Sequence, residues 1–259
     1  MLQQTQVDRV AAAYERFLAL FPSFERLAAA TRSDVVREWK GLGYNLRAVR
    51  LHELACAVVQ RHGGKLPSDE RALRALPGIG PYTAAAIRAF AFEFDDVAID
   101  VNVRRVVHRL CFGLEHPLKT NASHLDATAR ELLPRGQAHA WNSALMDLGA
   151  TLCKARDPKC EPCPLRASCA AARHGAAVIR AAAQEHLAAK RRGPQASLPF
   201  RETRRYVRGR ILDRLRELQP GAALRTADLV ADRYPLDEIL AGMERDGLIT
   251  RDGAGIRLR

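Results

Sequence analysis

The sequence predicts an all-α fold of two helical lobes, followed by a small domain that ends in a β-hairpin. Three observations carry this. Hydrophobic residues make up 47% of the 259 positions but aromatics only 6%, in Ala/Leu/Arg-rich runs of the kind that form helices. Apolar residues recur at helical spacing along most of the chain, and no convincing strand precedes residue 245. Near the carboxyl end, 247–258 places short apolar runs on either side of Asp252-Gly253, a pair that suits a tight hairpin turn.

Taken in order, residues 1–115 read as a first helical domain. Val10, Tyr14, Phe17 and Leu18 mark one helix, and Leu46, Val49, Leu54, Val58 and Val59 another. Ser33, Ser68 and Asp100 are candidate N-caps. Residues 116–189 form a second helical block. Residues 190–203 read as a linker, because Lys190-Arg-Arg-Gly-Pro resists packing. In 204–259, Val207, Ile211, Leu215 and Leu218 predict a helix, 224–231 a second, and Leu236, Ile239, Leu240 and Met243 a third. Three helices and a hairpin follow the winged-helix order, a relative of helix-turn-helix readers.

Charge narrows the partner. The formal charge is +12 and the isoelectric point near 10.0, which favours a polyanion, most simply nucleic acid. Between residues 173 and 216, twelve Lys/Arg face three Asp/Glu (Glu185, Glu202, Asp213). No run is long and apolar enough to span a membrane, and the amino terminus lacks a signal-peptide pattern. A cytoplasmic, nucleoid-associated monomer is the expectation.

Four cysteines, Cys153, Cys160, Cys163 and Cys169, stand as C-x6-C-x2-C-x5-C. Thiolates so close in sequence can close around one metal centre, with Pro158, Pro162 and Pro164 stiffening the loops. Structural zinc more often uses two separated C-x2-C pairs, so the spacing favours a 4Fe–4S cluster over zinc. Cys56 and Cys111 stand alone in apolar surroundings and read as core residues.

A second motif, Leu76-Pro-Gly78-Ile-Gly80-Pro-Tyr82-Thr83, joins two helical stretches at 69–75 and about 82–92. Its glycines allow a tight turn and close approach, and the N–H groups opening the second helix can face a phosphate. That is a helix–hairpin–helix device, which grips the DNA backbone without reading sequence; an ordinary interhelical turn is the plainer alternative. Asp100, ahead of Val101-Asn102-Val-Arg104-Arg105, ends an apolar run and opens a helix. It can be a simple N-cap or a catalytic carboxylate held at the mouth of a cleft.

Hairpin, aspartate and cysteine loop, in this order, resemble the endonuclease III superfamily of DNA glycosylases. Met1-Leu2-Gln3-Gln4-Thr5-Gln6, Gly41-Leu42-Gly43-Tyr44 and Met146-Asp147-Leu148-Gly149 are most similar to the MutY-type adenine glycosylases within it. The resemblance covers roughly residues 1–175. It implies hydrolytic excision of adenine mispaired with 8-oxoguanine or guanine in double-stranded DNA, with the base flipped from the stack. It further implies Asp100 as the carboxylate that stabilises the sugar cation, Asn102 and Tyr82 lining the same site, and Gly78 and Gly80 on a phosphate. Gln3 or Gln4 and Tyr44 would wedge into the stack. Bifunctional members carry lysine where this chain has Tyr82, so the resemblance implies a monofunctional enzyme.

Two departures accompany it. The family's general-acid glutamate lies two residues before the methionine of M-L-Q-Q-T-Q, and this sequence begins at that methionine, which puts the activity of the chain as written in doubt. The tail is also too short and too helical for the Nudix-like domain of long MutY-type proteins. Weaker discrimination against plain G:A pairs is therefore expected. The alternatives are a thymine/uracil glycosylase acting on G:T or G:U pairs and a non-catalytic DNA-binding relative.

Overall fold

A computed structural model describes all residues except 3, 4, 6, 115–120, 192–197, 232 and 254, and the backbone alone of 186–191. The helices in chain order are α1 (Val7–Leu20), α2 (Phe24–Ala29), α3 (Arg32–Glu38), α4 (Leu46–His62), α5 (Glu70–Arg74), α6 (Pro81–Ala91), α7 (Val101–Val107), α8 (Ala122–Glu131), α9 (Ala138–Thr151), α10 (Ala176–Arg191), α11 (Arg204–Glu217) and α12 (Leu236–Arg245). The strands are β1 (Leu224–Arg225), β2 (Ile249–Asp252) and β3 (Gly255–Leu258). A π-helical turn, His108–Phe112, continues α7.

The chain divides into two compact units that do not follow chain order. The first comprises 1–67, 75–78 and 197–259; the second comprises 68–74 and 79–196. The predicted borders at 115/116 and 203/204 do not coincide with this division.

In the first unit, one apolar cluster joins Val10, Phe17, Val35, Val36, Trp39 and Val49 of the amino-terminal helices to Ile211, Leu215, Leu240, Met243 and Ile256 of the tail. The tail therefore shares a core with α1–α4 instead of standing as a separate domain behind a linker. Polar bonds reinforce the join. The Arg37 guanidinium donates to the carbonyls of Arg216 and Leu218, each at 2.8 Å. Arg216, its side chain 4% exposed, donates to the Val36 carbonyl at 3.0 and 2.9 Å and to Asn45 Oδ1 at 2.7 Å. Burial lowers the Arg216 pKa, with its bond to Asp213 acting against that. Such a cation is tolerated only where its donors are satisfied. Sequence periodicity registers apolar faces, and a buried arginine is invisible to it.

Some local expectations fail for identifiable reasons. In α1 the buried stripe is Val10, Ala13 and Phe17, while Tyr14 and Leu18 are exposed; alanine completes the face that the larger residues were expected to make. Ser33 lies inside α3, whose cap is Thr31 in a reciprocal capping box with Asp34. At α5, Asp69 Oδ1 rather than Ser68 accepts from a first-turn amide, that of Ala72, at 2.8 Å. The expected helix over 224–231 is β1 followed by one 3-10 turn, Thr226–Asp228. β1 pairs antiparallel with β3 (Leu224 opposite Ile256), and β3 with β2 (Ile249 opposite Leu258), in the order β1-β3-β2. The tail thus keeps a winged-helix-like outline with its second helix reduced to a turn. Of the 190–203 linker, 192–197 lie outside the described residues. Its end is folded, since the Tyr234 hydroxyl donates to the Glu202 carbonyl at 2.7 Å.

In the second unit, α7 packs on α8 and α9 around Val97, Val103, Val106, Val107, Leu125 and Leu145. Among the described residues, no helix is long and apolar enough to cross a membrane.

Candidate active site and cysteine loop

Asp100 caps α7 in extended conformation (φ −92°, ψ −173°). Its Oδ1 accepts from the amides of Asn102 and Val103 at 2.8 and 2.7 Å, and its Oδ2 from the Asn102 side-chain amide at 3.0 Å. A half-buried carboxylate held by three N–H donors at a helix start is fixed in orientation. The Asp100 charge in turn acts on Tyr82. Burial raises the Tyr82 phenol's pKa first and the aspartate adds to it, so the two side chains share one neighbourhood. The structure thus bonds Asp100 to Asn102 and leaves Tyr82 within reach of the Asp100 charge.

Three further residues hold this site: sequence reasoning assigned no role to Asn142 or Arg105, and Gly149 stood in a motif whose purpose it did not show. Asn142, fully buried in α9, accepts from the Ala98 amide and donates to the carbonyls of Asp96 and Ala138, all at 2.8 Å. It ties the strand-like approach to Asp100 onto α9. Arg105 Nη2 donates to Asn102 Oδ1 at 2.9 Å and to the Gly149 carbonyl at 2.7 Å, and its Nε to the Cys153 carbonyl at 2.7 Å. Its pKa is lowered, chiefly by burial. Gly149 explains the Met146-Asp147-Leu148-Gly149 motif. A Cβ there would lie 2.7 Å from Asn102 Cβ, so only glycine lets α9 approach α7. The one available signal was an amide, Asn142, inside an apolar stripe.

Cys153, Cys160, Cys163 and Cys169 line one small cavity of about 30 Å³ together with Arg109, Pro158 and Arg166. None is in a disulfide. The Cys160 thiol is raised above its ordinary pKa by burial first and then by the other three cysteines, against the opposing pull of Arg109. Arg109 Nη1 lies 3.6 Å from Cys153 Sγ, and the Cys169 thiol donates to the Arg109 carbonyl at 3.3 Å. Among the described residues, no three His, Cys, Asp or Glu are drawn close enough to hold a single metal ion. The four cysteines instead share the lining of one cavity. That donor set, all thiol with a cationic neighbour, fits a thiolate-ligated iron–sulfur group. Cys111 is exposed, contrary to its reading as a core residue. It falls on the π-helical turn, where the helical phase shifts.

At the hairpin, Gly78 adopts φ +77° with Arg50 packed where its Cβ would point. Gly80 caps α6 and Pro81 occupies its first turn. With no side chain at the cap, the opening N–H groups have no capping oxygen from residue 80, the condition for an anion-accepting helix start.

The loop Gly41–Tyr44 belongs to the first unit. Gly41, Gly43 and Tyr44 all have positive φ (+86°, +67°, +47°). Arg47 organises the loop, donating to the carbonyls of Met1, Leu42 and Gly43 at 2.9, 2.9 and 3.2 Å and to Thr5 Oγ1 at 2.8 Å. Trp39 Nε1 adds a bond to the Gly43 carbonyl at 3.1 Å. The exposed Tyr44 ring lies 3.6 Å from the Arg205 guanidinium carbon and 5.7 Å from that of Arg47. A left-handed tyrosine costs about 1–2 kcal/mol. One cation–π contact returns about 0.5–1 kcal/mol at an exposed site, so two roughly offset the strain. Gln3 and Gln4 lie outside the described residues.

Comparison with known proteins bears on these sites. Residues 1–137 match the model of the HhH-GPD superfamily base excision DNA repair proteins. The chain is 36% identical over 264 residues to the adenine DNA glycosylase of Mycolicibacterium smegmatis, covering 98% of this chain and 83% of that protein, so the similarity runs through the tail. A thermostable thymine-DNA glycosylase structure superposes with a TM-score of 0.62 at 32% identity, over 67% of this chain and 80% of that one. A non-covalent endonuclease III–DNA complex gives 0.59 at 23% identity, over the same shares, and speaks to fold alone.

Proposed function

Because the chain belongs to the HhH-GPD superfamily of base excision DNA repair proteins, we propose that it is a monofunctional adenine DNA glycosylase acting on adenine opposite 8-oxoguanine or guanine. The observation that carries this is the Asp100 carboxylate, immobilised by the Asn102 and Val103 amides and the Asn102 side chain. Cleavage of an N-glycosidic bond places positive charge on the sugar, as in glycoside hydrolysis. A carboxylate that cannot rotate away stabilises that charge with no reorganisation during the reaction. Tyr82, its phenol kept neutral by burial and by the Asp100 charge, offers no amine for a Schiff base, so the strand is not cut by β-elimination. Likeness to the mycobacterial adenine enzyme through the whole chain supports adenine over the thymine reading.

The hairpin glycines and the opening of α6 would hold a backbone phosphate, and Tyr44 would wedge into the base stack. Cys153, Cys160, Cys163 and Cys169 would hold a 4Fe–4S cluster. When bound, the cluster crosslinks the loop and supplies a redox centre whose potential responds to nearby charge. Arg105 and Arg109, which reach the Cys153 carbonyl and sulfur, would transmit the loop's order to α7. We further propose that the protein acts as a monomer on duplex DNA.

The test is a duplex assay with A opposite 8-oxoguanine, A opposite G, and T opposite G, with alkali to reveal abasic sites. Alkali-dependent cleavage at adenine is the expected result. Cleavage at T:G alone would replace the adenine reading with the thymine one, and binding without product would make the chain a DNA-binding relative.

A further inference from the structure

The tail places a second cation on the tyrosine expected to enter the DNA stack. Arg205 lies in the first turn of α11, exposed, its guanidinium carbon 3.6 Å from the Tyr44 ring centre and 5.6 Å from that of Phe200. Phe200 is 58% exposed and makes an edge contact with Tyr206 at 5.6 Å. Among the described residues, no carboxylate lies within ion-pair distance of Arg205, although Arg204, Arg208 and Arg216 of the same helix are all paired. Arg47, on the same ring, is committed to the loop through four acceptors. Two guanidinium groups thus flank one aromatic ring; the Arg47 pKa is lowered, by burial first and then by the nearby Arg205 charge.

Helix α11 is also held in place for this. Eleven residues along it, buried Arg216 bonds to the carbonyl of Val36 and to Asn45, the neighbour of Tyr44. The tail grips the loop at one end and lays Arg205 on its tyrosine at the other. An unpaired planar cation on an exposed aromatic, beside another cation, suits an anion delivered with a stacked base: the phosphate backbone of nucleic acid.

We propose that Arg205 is a DNA-contact residue supplied by the tail, stacked on Tyr44 to hold its ring for insertion while its free edge meets a backbone phosphate. This rests on the glycosylase reading above for the identity of the duplex. It goes further in giving the tail a residue-specific task.

The test uses the full chain with Arg205→Met and Arg205→Lys, and with Arg210→Met as a control that removes the same charge from the same helix. Binding to a duplex carrying A opposite 8-oxoguanine is titrated against salt. A 2-aminopurine beside the mispair reports stack opening by fluorescence. The expected result is that Arg205→Met flattens the log K against log salt slope by about 0.9, one phosphate contact, and lowers the fluorescence rise. Arg205→Lys keeps the slope but also lowers the rise, because ammonium does not stack flat on the ring. Arg210→Met changes neither. Equal slope losses in Arg205→Met and Arg210→Met, or wild-type slope and fluorescence in Arg205→Met, would overturn the proposal. Neither readout requires base excision, so an inactive wild-type chain would count against the glycosylase reading alone.

Discussion

Asp100 and Tyr44 are both placed by loops that open helices, and they are held in opposite ways. Asp100 is fixed by short-range donors: two amides of its own helix and the side chain of Asn102 two residues on. Tyr44 is strained at positive φ and steadied by two cations, Arg47 three residues on and Arg205 161 residues on, the second brought to it only by packing. A carboxylate that must meet a developing charge gains from immobility. A ring that must enter a base stack gains from contacts weak enough to exchange for DNA. On the proposed reading, the chemistry would be rigid and the probe replaceable.

The largest effect should come from Asp100→Asn. Asparagine caps a helix as well as aspartate, so folding should change by less than about 0.5 kcal/mol. Excision of adenine should fall at least about a thousandfold, the scale of losing a principal charge-stabilising group, while duplex affinity stays within a few-fold. Single-turnover kinetics beside a gel-shift titration measures both; retained turnover would remove Asp100 from the chemistry.

Next comes Arg216→Met, which strands the Val36 carbonyl, Asn45 and Asp213. Urea unfolding should show a loss of about 2–4 kcal/mol, with the amino-terminal helices and the tail unfolding in one transition because they share a core. Two resolved transitions in the wild-type protein would contradict that shared core.

Gly149→Ala sharpens the comparison from the rigid side. The new Cβ would crowd Asn102, an overpacking worth about 1–3 kcal/mol. Because Asn102 holds Asp100, excision should drop by about tenfold beyond what stability explains, measured at a temperature where the variant is fully folded.

The smallest effect is in pH. The Tyr82 phenol is raised by burial and by Asp100, so folded protein keeps a proton that the unfolded chain releases near pH 10. Its contribution is complete below that pH and is lost as pH climbs through the higher folded value. Melting temperature should therefore decline more steeply above about pH 10 in wild type than in Tyr82→Phe.

Much of the candidate site was legible because its signals are local. A cap writes itself as Asp100 before an apolar helix, a hairpin as paired glycines, and the cysteine loop as spacing. Ser33 and Ser68 failed as caps because Thr31 and Asp69 compete within two residues of them, and geometry alone separates such neighbours. Arg105, Asn142 and Arg205 were not legible. Each acts on a residue brought near by packing, and an arginine in an arginine-rich chain has no periodic signature.

By itself, the sequence determined the helical character, the hairpin, the capped aspartate and the clustered thiols, because hydrogen bonds and chain stiffness act over a few residues. Only the tertiary structure decided that residues 197–259 belong with 1–67, that Gly149 is the point where α9 meets α7, and that Arg205 covers Tyr44. Those depend on burial and contact between segments far apart in the chain, and apolar pattern specifies that a face must be covered without specifying by what.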